Sequence, residues 1–444
     1  MKSNEQFKKI LRTSFKLLLI LSETVIFSNV WINYYNGIIS VSFAGKGNWF
    51  FYAVYIIIFS LFLYAFDALK YGVYRKTNLI TAQILATLAT LFIVYLQIVL
   101  LSAEFITVIP LIFAFLADIV VIVLITVGSN WLIKMLFPAK KTLIIYDQYS
   151  PEAFIEKLKT RKDKFAISEV VNVDIGIEKL EESIKQSESV IIYDIHSEKR
   201  NKIIKICFAN SIRTYATTKV SDILIRGAET LHMFDTPLLL YRNVGLTFEQ
   251  RFLKRAFDIV VSAIMLVLTS PILLLSAIAI KIYDGGPIFF TQARTTIDGK
   301  VFNIHKFRSM IEDAEKEGAP KPAEDNDPRI TPVGKFLRAT RLDVLPQFFD
   351  ILVGNMSIVG PRPERVEHTE QYSKEISEFS YRLKVRGGLT GYAQLYGKYN
   401  TTPYDKLQLD LMYIQNYSFL LDIRLILMTI KIMFMKESTE GFTK

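Results

Sequence analysis

The chain has 444 residues, carries a net charge of +10, and is 51% hydrophobic with a mean hydropathy of +0.28. A soluble globular chain of this length is rarely so apolar, so membrane segments and two or three domains are expected. The single cysteine, Cys207, excludes an intramolecular disulfide framework and argues against a zinc-ribbon or redox enzyme.

Four apolar runs occupy the first third, at 14–35, 49–67, 82–103 and 105–127. Each is near the roughly 20 residues that a helix needs to cross a bilayer. The first lacks the cleavage pattern of a signal peptide and is expected to stay as an anchor. Lys2, Lys8, Lys9, Arg12 and Lys16 precede or open the first run, and Lys70, Arg75 and Lys76 separate the second from the third. Lys134, Lys140 and Lys141 follow the fourth, whereas the other connections hold only Lys46 and the turn around Glu104. Basic loops stay in the cytoplasm, so both ends of a four-helix bundle over 1–135 are expected there. The net positive charge fits that pattern and also attraction to anionic lipid and phosphate-bearing substrates. Glu23 and Asp118 lie inside the runs. Intramembrane carboxyls are functional candidates by default. With no basic partner at that depth, the expectation here is helix packing.

A soluble stretch over 136–248 alternates strand-like and helix-like segments: Thr142–Tyr146, Ala153–Lys164, Ser189–Asp194, Lys199–Ala209 and Arg213–Ala216. This alternation predicts a small Rossmann-like parallel α/β module. It has no glycine-rich phosphate loop, so a structural or regulatory role without bound nucleotide is expected. Further on, Glu312–Pro328 reads as a mobile loop.

Ala256–Ile280 is long enough to span, but Ser270-Pro271 interrupts it and both flanks are basic: Lys254 and Arg255 before, Lys281 after. Proline removes one helical hydrogen bond, and basic flanks want both ends in the cytoplasm. A re-entrant helix broken at Ser270-Pro271 satisfies both, with the serine hydroxyl able to bond a freed carbonyl; a kinked spanning helix is the alternative. Phe419–Met435 reads as an amphipathic helix lying in the membrane plane, or else as a core helix.

The last part of the chain carries a series of short motifs in order. They are Lys254-Arg255-Ala256-Phe257-Asp258, Ser270-Pro271, Asp284-Gly285-Gly286-Pro287-Ile288-Phe289-Phe290 and Lys306-Phe307-Arg308-Ser309-Met310. Leu342-Asp343-Val344-Leu345-Pro346-Gln347, Met356-Ser357-Ile358-Val359-Gly360-Pro361-Arg362-Pro363 and Val385-Arg386-Gly387-Gly388-Leu389-Thr390-Gly391 follow. Residues 251–444 thereby resemble the bacterial sugar transferase family, the monotopic phosphoglycosyl transferases. The bundle and module in front resemble its large, exopolysaccharide-type members.

The resemblance implies a membrane helical bundle, an α/β module and a mainly α catalytic domain over 249–444 with a re-entrant helix over 256–280. It implies transfer of hexose-1-phosphate from a UDP-hexose to undecaprenyl phosphate, with UMP released, through a phospho-sugar on an aspartate. The expected setting is the cytoplasmic face of a bacterial membrane, as the first step of an exopolysaccharide or capsule repeat unit. A bilayer and both substrates are the expected partners, with no nucleic acid, and a homodimer is plausible from the apolar bundle faces.

A carboxylate attacking a diphosphate needs cationic neutralisation. Asp343 is the candidate nucleophile and tentative ligand for Mg2+ (or Mn2+). Lys306, Arg308, Arg338 and Arg341 are candidates for the phosphates, and Arg362, stiffened by Pro361 and Pro363, for the nucleotide. His305 and His368 are read as bystanders, and Gly285-Gly286-Pro287 and Arg386-Gly387-Gly388 as close-approach turns.

The family commonly has an Asp-Glu pair where this chain has Asp343-Val344. Valine holds no charge and binds no metal. Glu364 and Glu367 are the candidate substitutes; otherwise the second acid is dispensable, or the chain is a catalytically weak nucleotide-sugar-binding scaffold. The residues do not select the sugar.

Overall fold

The computed structural model describes residues 2–39, 42–233, 235–241, 245–312, 314, 327–397 and 401–433. The expected loop at Glu312–Pro328 falls largely outside them. The chain divides into two compact units after Thr218.

The first unit opens with α1 (Lys2–Val30), which continues as a π-helical turn over Trp31–Tyr35. Then come α2 (Lys46–Ala65), α3 (Lys76–Ser102) and α4 (Ile109–Leu136). All four are long and apolar enough to cross a membrane. The fourth runs later than its apolar stretch suggests, because Pro110 starts the helix at a position where its missing N–H costs nothing. The helices pack as a ring, α1 on α2, α2 on α3, α3 on α4 and α4 on α1. Aromatics fill one end: Phe27 stacks on Tyr55 with centroids 4.3 Å apart, and Trp31 donates to Asn48 at 2.8 Å.

The α/β module follows in the same unit as β1 (Lys140–Tyr146), α5 (Glu152–Lys159), β2 (Phe165–Asn172), α6 (Ile177–Gln186), β3 (Ser189–Tyr193), α7 (Ser197–Ala209) and β4 (Arg213–Ala216). The strands form one parallel sheet in the order β2-β1-β3-β4. Leu143, Ile145, Val190 and Ile192 are buried with Leu180, Ile184 and Ile203 from the helices. The predicted parallel module is present, but β2 and α6 escape a sequence reading. β2 is a mostly exposed edge with no continuous apolar run, and α6 is short and charge-rich. Glu5 on α1 pairs with Lys140 at 3.2 Å and with Arg213, tying bundle to sheet.

The second unit begins at Lys219, earlier than residue 249. Its first elements are α8 (Val220–Arg226) and the antiparallel hairpin β5 (Glu229–Met233) and β6 (Thr236–Leu240). Val220, Ile223 and Leu246 sit in its core, which assigns this stretch to it.

Next comes α9 (Phe248–Asp284), 37 residues long. It starts with a reciprocal capping box: Gln250 N donates to Thr247 Oγ1 and Thr247 N to Gln250 Oε1. It ends at Gly285 with φ +71. The helix does not break at Ser270-Pro271 but runs through Pro271 as one element. Ser270 Oγ donates to Val267 O at 2.7 Å, the carbonyl that Pro271 cannot serve, and Thr269 Oγ1 donates to Met265 O at 2.6 Å. Val260, Ile264, Val267, Leu268, Leu274 and Leu275 are exposed along it, and it too is long and apolar enough to cross a membrane.

The hairpin β7 (Phe289–Thr295) and β8 (Val301–Phe307) follows, turning through Asp298 and Gly299, both at positive φ. Then come α10 (Pro332–Ala339), a 3-10 turn over Leu342–Val344, α11 (Gln347–Val353) and β9 (Ser357–Val359). The unit closes with α12 (Val366–Glu375), a 3-10 segment over Ser377–Lys384, β10 (Gly388–Thr390), α13 (Tyr392–Tyr396), α14 (Pro403–Gln415) and α15 (Phe419–Met433). Phe302, Ile304, Phe348, Ile351, Ile358, Phe379, Leu411 and Leu425 form the core.

α15 packs on the core with Asp422 and Lys431 facing inward, which fits the core-helix alternative, and keeps apolar residues exposed on its other side. Asp422 and Lys431 are buried while Leu420 and Met433 are exposed. Asp422 is drawn inward by Lys254 and by the Tyr413 hydroxyl, which donates to it at 2.8 Å.

Candidate active site

Short parallel strands β9 and β10 set the position of Pro361-Arg362-Pro363. Gly360 N donates to Thr390 O and Gly388 N to Pro361 O, each at 2.8 Å. A Cβ on Gly388 would lie 2.0 Å from Gly360 N, so only glycine permits this approach. The Arg386-Gly387-Gly388 motif therefore clamps another piece of backbone. Both prolines are buried and Arg362 is exposed between them. Its carbonyl accepts from Arg382 Nη2 at 2.8 Å, and Arg382 is itself held by buried Asp410 at 2.7 Å.

Asp343 lies in the 3-10 turn, half-buried, just after Arg341. Arg341 adopts φ +60, a left-handed conformation uncommon outside glycine and a local strain beside the carboxylate. Asp343 Oδ1 is buried and has no hydrogen-bond partner among the described residues. Burial raises its pKa above the usual carboxylate range, against the opposing pull of Lys306, Arg341 and Arg338.

Lys306, on β8, faces the same group. Burial pushes its pKa down to about 7, helped by the neighbouring Arg362, Arg294 and Arg338 and opposed by Asp343. Asp343 and Lys306 thus lie within electrostatic reach of each other and of Arg338, with Arg341 acting on Asp343, Arg362 on Lys306, and Arg294 from β7 joining them at Lys306. Arg294 carries no motif of its own. The hairpin register brings it to Pro363, whose carbonyl its Nη1 reaches at 3.1 Å.

Arg308 is held elsewhere. It is buried in an ion pair with Asp284 at the end of α9, where Gly286 leaves space for its guanidinium.

The two candidate substitute acids separate. Glu367 is exposed in the first turn of α12. Glu364 is buried, and its Oε1 lies 3.7 Å from Lys406 Nζ without a hydrogen bond. Burial works to raise its pKa, but Arg382, Lys406, Arg362 and Arg294 together bring it below its ordinary value. Arg362 and Arg294 act on both Lys306 and Glu364, so this acid borders the same basic field. His305 sits outside that chemistry, bonded through Nδ1 to buried Asp350 at 2.7 Å, and His368 packs near Tyr372.

Among the described residues, no three His, Cys, Asp or Glu side chains group to hold a metal. The unpartnered Asp343 oxygen does fit a cation that takes its remaining ligands from a diphosphate and water, as Mg2+ commonly does.

Comparison with known proteins agrees with this region. Residues 249–436 match the family described as bacterial sugar transferase. The chain is 37% identical over 259 residues to a UDP-glucose:undecaprenyl-phosphate glucose-1-phosphate transferase of Klebsiella pneumoniae, covering 57% of this chain and 54% of that one. It is 42% identical over 230 residues to a UDP-N-acetylgalactosamine-undecaprenyl-phosphate N-acetylgalactosaminephosphotransferase of Aeromonas hydrophila, covering 51% and 53%. The uncharacterized sugar transferase EpsL of Bacillus subtilis (strain 168) is 33% identical over 188 residues, 42% of this chain and 90% of that protein. The matches to the Klebsiella and Aeromonas proteins span about half the length of each.

Proposed function

The chain belongs to the bacterial sugar transferase family, and from that premise we propose that it transfers hexose-1-phosphate from a UDP-hexose to undecaprenyl phosphate, releasing UMP. The product begins an exopolysaccharide or capsule repeat unit at the cytoplasmic face of a bacterial membrane. The observation that carries this reading is the Asp343 carboxylate, one oxygen of which has no partner among the described residues, set among Lys306, Arg338 and Arg341, with Arg362 acting on Lys306.

An Asp343 oxygen attacks the β-phosphorus. The bond from that phosphorus to the bridging oxygen breaks, UMP leaves with the electron pair, and the phospho-sugar remains on Asp343. A phosphate oxygen of undecaprenyl phosphate then attacks the same phosphorus and frees the carboxylate. Lys306, Arg338 and Arg341 neutralise the diphosphate so that an anion can approach it. Arg362 presents its planar fork to the nucleotide from a backbone stiffened by two buried prolines. Bound Mg2+, with Asp343 as its protein ligand, supplies further charge neutralisation on the phosphate oxygens.

In this reading α9, which is continuous through Pro271 here, bends at that proline once it is in the bilayer, so that it enters and returns and delivers the lipid phosphate to the cytoplasmic site. At 1.5 Å per residue the helix is about 55 Å long, well beyond a hydrocarbon core of about 30 Å. Lys254, Arg255 and Lys281 lie near its two ends, as a cytoplasmic entry and exit require.

The test incubates the full chain with undecaprenyl phosphate, magnesium and a panel of UDP-sugars, scoring UMP release. Mass spectrometry of the intact chain looks for the phospho-sugar adduct. A chain that binds UDP-sugar but yields neither is a scaffold, the outcome that Val344 in place of a second acid allows.

A further inference from the structure

The transfer chemistry leaves one polar layer of the four-helix bundle unused. Each helix contributes one oxygen-bearing side chain to it: Glu23 from α1, Tyr55 from α2, Thr87 from α3 and Asp118 from α4. None of the four is more than 1% exposed. Thr87 Oγ1 donates to Glu23 Oε2 at 2.9 Å. The two carboxyls lie within electrostatic reach of each other, and both act on the Tyr55 phenol. Glu23 Oε1, Asp118 Oδ1 and the Tyr55 hydroxyl are all buried, and none has a hydrogen-bond partner among the described residues.

This contrasts with the adjacent polar contact around Gln83. One turn from Thr87, Gln83 donates to Ala68 O at 3.0 Å and to the Tyr71 hydroxyl at 2.9 Å, and accepts from Thr126 at 2.7 Å. The neutral amide is therefore fully served, while the acidic layer keeps three unmatched oxygens. Each unmatched buried acceptor is costly, and more so when it is charged. The ionisable group acting on Glu23 is the other carboxyl, so ionising both without a counter-charge compounds the cost.

We propose that this layer binds a small hard metal cation. The Glu23 and Asp118 carboxylates and the Tyr55 hydroxyl are its protein ligands, with Thr87 orienting Glu23. An all-oxygen donor set selects Na+, Mg2+ or Ca2+ over soft metals, and two carboxylates balance a divalent ion. Bundle cores build such sites from side chains on facing helices. The ion joins α1, α2 and α4 directly, and α3 through the Thr87 bond to Glu23, and makes the bundle's stability depend on cation supply. The site is independent of the proposed transfer reaction.

The experiment uses full-length protein in lipid nanodiscs. Tm is followed against MgCl2, CaCl2 and NaCl, with ionic strength held by choline chloride at fixed pH. The expected result is a saturable rise with at least one metal ion that is absent in Glu23→Gln/Asp118→Asn. Tyr55→Phe removes one oxygen and no charge, and should move the half-saturation concentration up about tenfold. A rise that survives in the double variant, or stability that answers only to pH in the wild type, overturns the proposal. If the double variant does not fold, an unchanged midpoint in Tyr55→Phe overturns it.

Discussion

Lys254 Nζ lies 2.5 Å from Asp422 Oδ2, and both side chains are almost fully buried. The pair ties the start of α9 to α15, 168 residues later in sequence. Tyr413 completes it by donating to the other Asp422 oxygen at 2.8 Å. Burial raises the Asp422 pKa while Lys254 opposes that shift, so the carboxyl depends on its partner to stay charged. Lys254→Met is expected to destabilise the protein by about 3–5 kcal/mol, because it leaves a buried charge uncompensated. Adding Asp422→Leu should recover part of the loss. Denaturant midpoints of the two variants check both expectations.

Asp343→Asn should abolish UMP release and the phospho-sugar adduct while leaving the fold intact. In the wild type the raised pKa of Asp343 places an acid limb above the ordinary carboxylate range. Activity falls as pH drops through that value, because the protonated acid is no nucleophile. Full turnover by the asparagine variant would remove Asp343 from the covalent step.

Lys306 sets the opposite limb. Its pKa of about 7 means that the free enzyme loses this positive charge as pH rises past neutrality. The kcat/KM for UDP-sugar should fall above that pH, while kcat holds to higher pH because a bound diphosphate restores the charge. Lys306→Arg, which stays protonated, should abolish the limb. For stability the sign reverses. Between about 7 and 10.5 the unfolded lysine binds a proton that the folded one does not, so this group's contribution to stability rises with pH.

Glu364 and Glu367 are separable by substitution. Glu364→Gln should lower kcat by about 100-fold if that acid assists the transfer. Glu367→Gln, at an exposed position, should match the wild type. Equal activity in both variants would exclude Glu364 as the replacement for the missing second carboxylate.

Gly388→Ala tests the clamp. The added methyl meets Gly360 backbone at 2.0 Å, so β9 and β10 must part. A loss of about 1–3 kcal/mol is expected, with a raised KM for UDP-sugar as Arg362 is displaced. Thermal unfolding and steady-state kinetics read the two effects.

The apolar runs, the parallel module and the ordered motifs were legible in the chain because each rests on local periodicity or contiguous residue identity. Asp343, Lys306 and Arg362 could be named from their motifs, and Arg338 and Arg341 from their closeness to Asp343 in sequence, since a carboxylate attacking a diphosphate requires cations near it. The position of Arg294 was not legible, because it depends on the register of β7 against β8. The diversion of Arg308 to Asp284 joins residues 24 apart in a space that Gly286 leaves for the guanidinium.

Charge placement was the least legible feature. A charge on an apolar helix reads as a surface residue, yet Asp422 and Lys431 on α15 point inward. Glu23 and Asp118 came out of the sequence as packing groups; the fold buries both, each with one oxygen that has no partner among the described residues. Hydrophobic pattern and motif identity are properties of neighbouring residues, so composition and order suffice for the membrane helices, the parallel module and the family. Which cations reach Asp343, which acid borders them and which buried charges find partners depend on contacts between residues far apart in sequence, and those exist only once the helices and hairpins have packed.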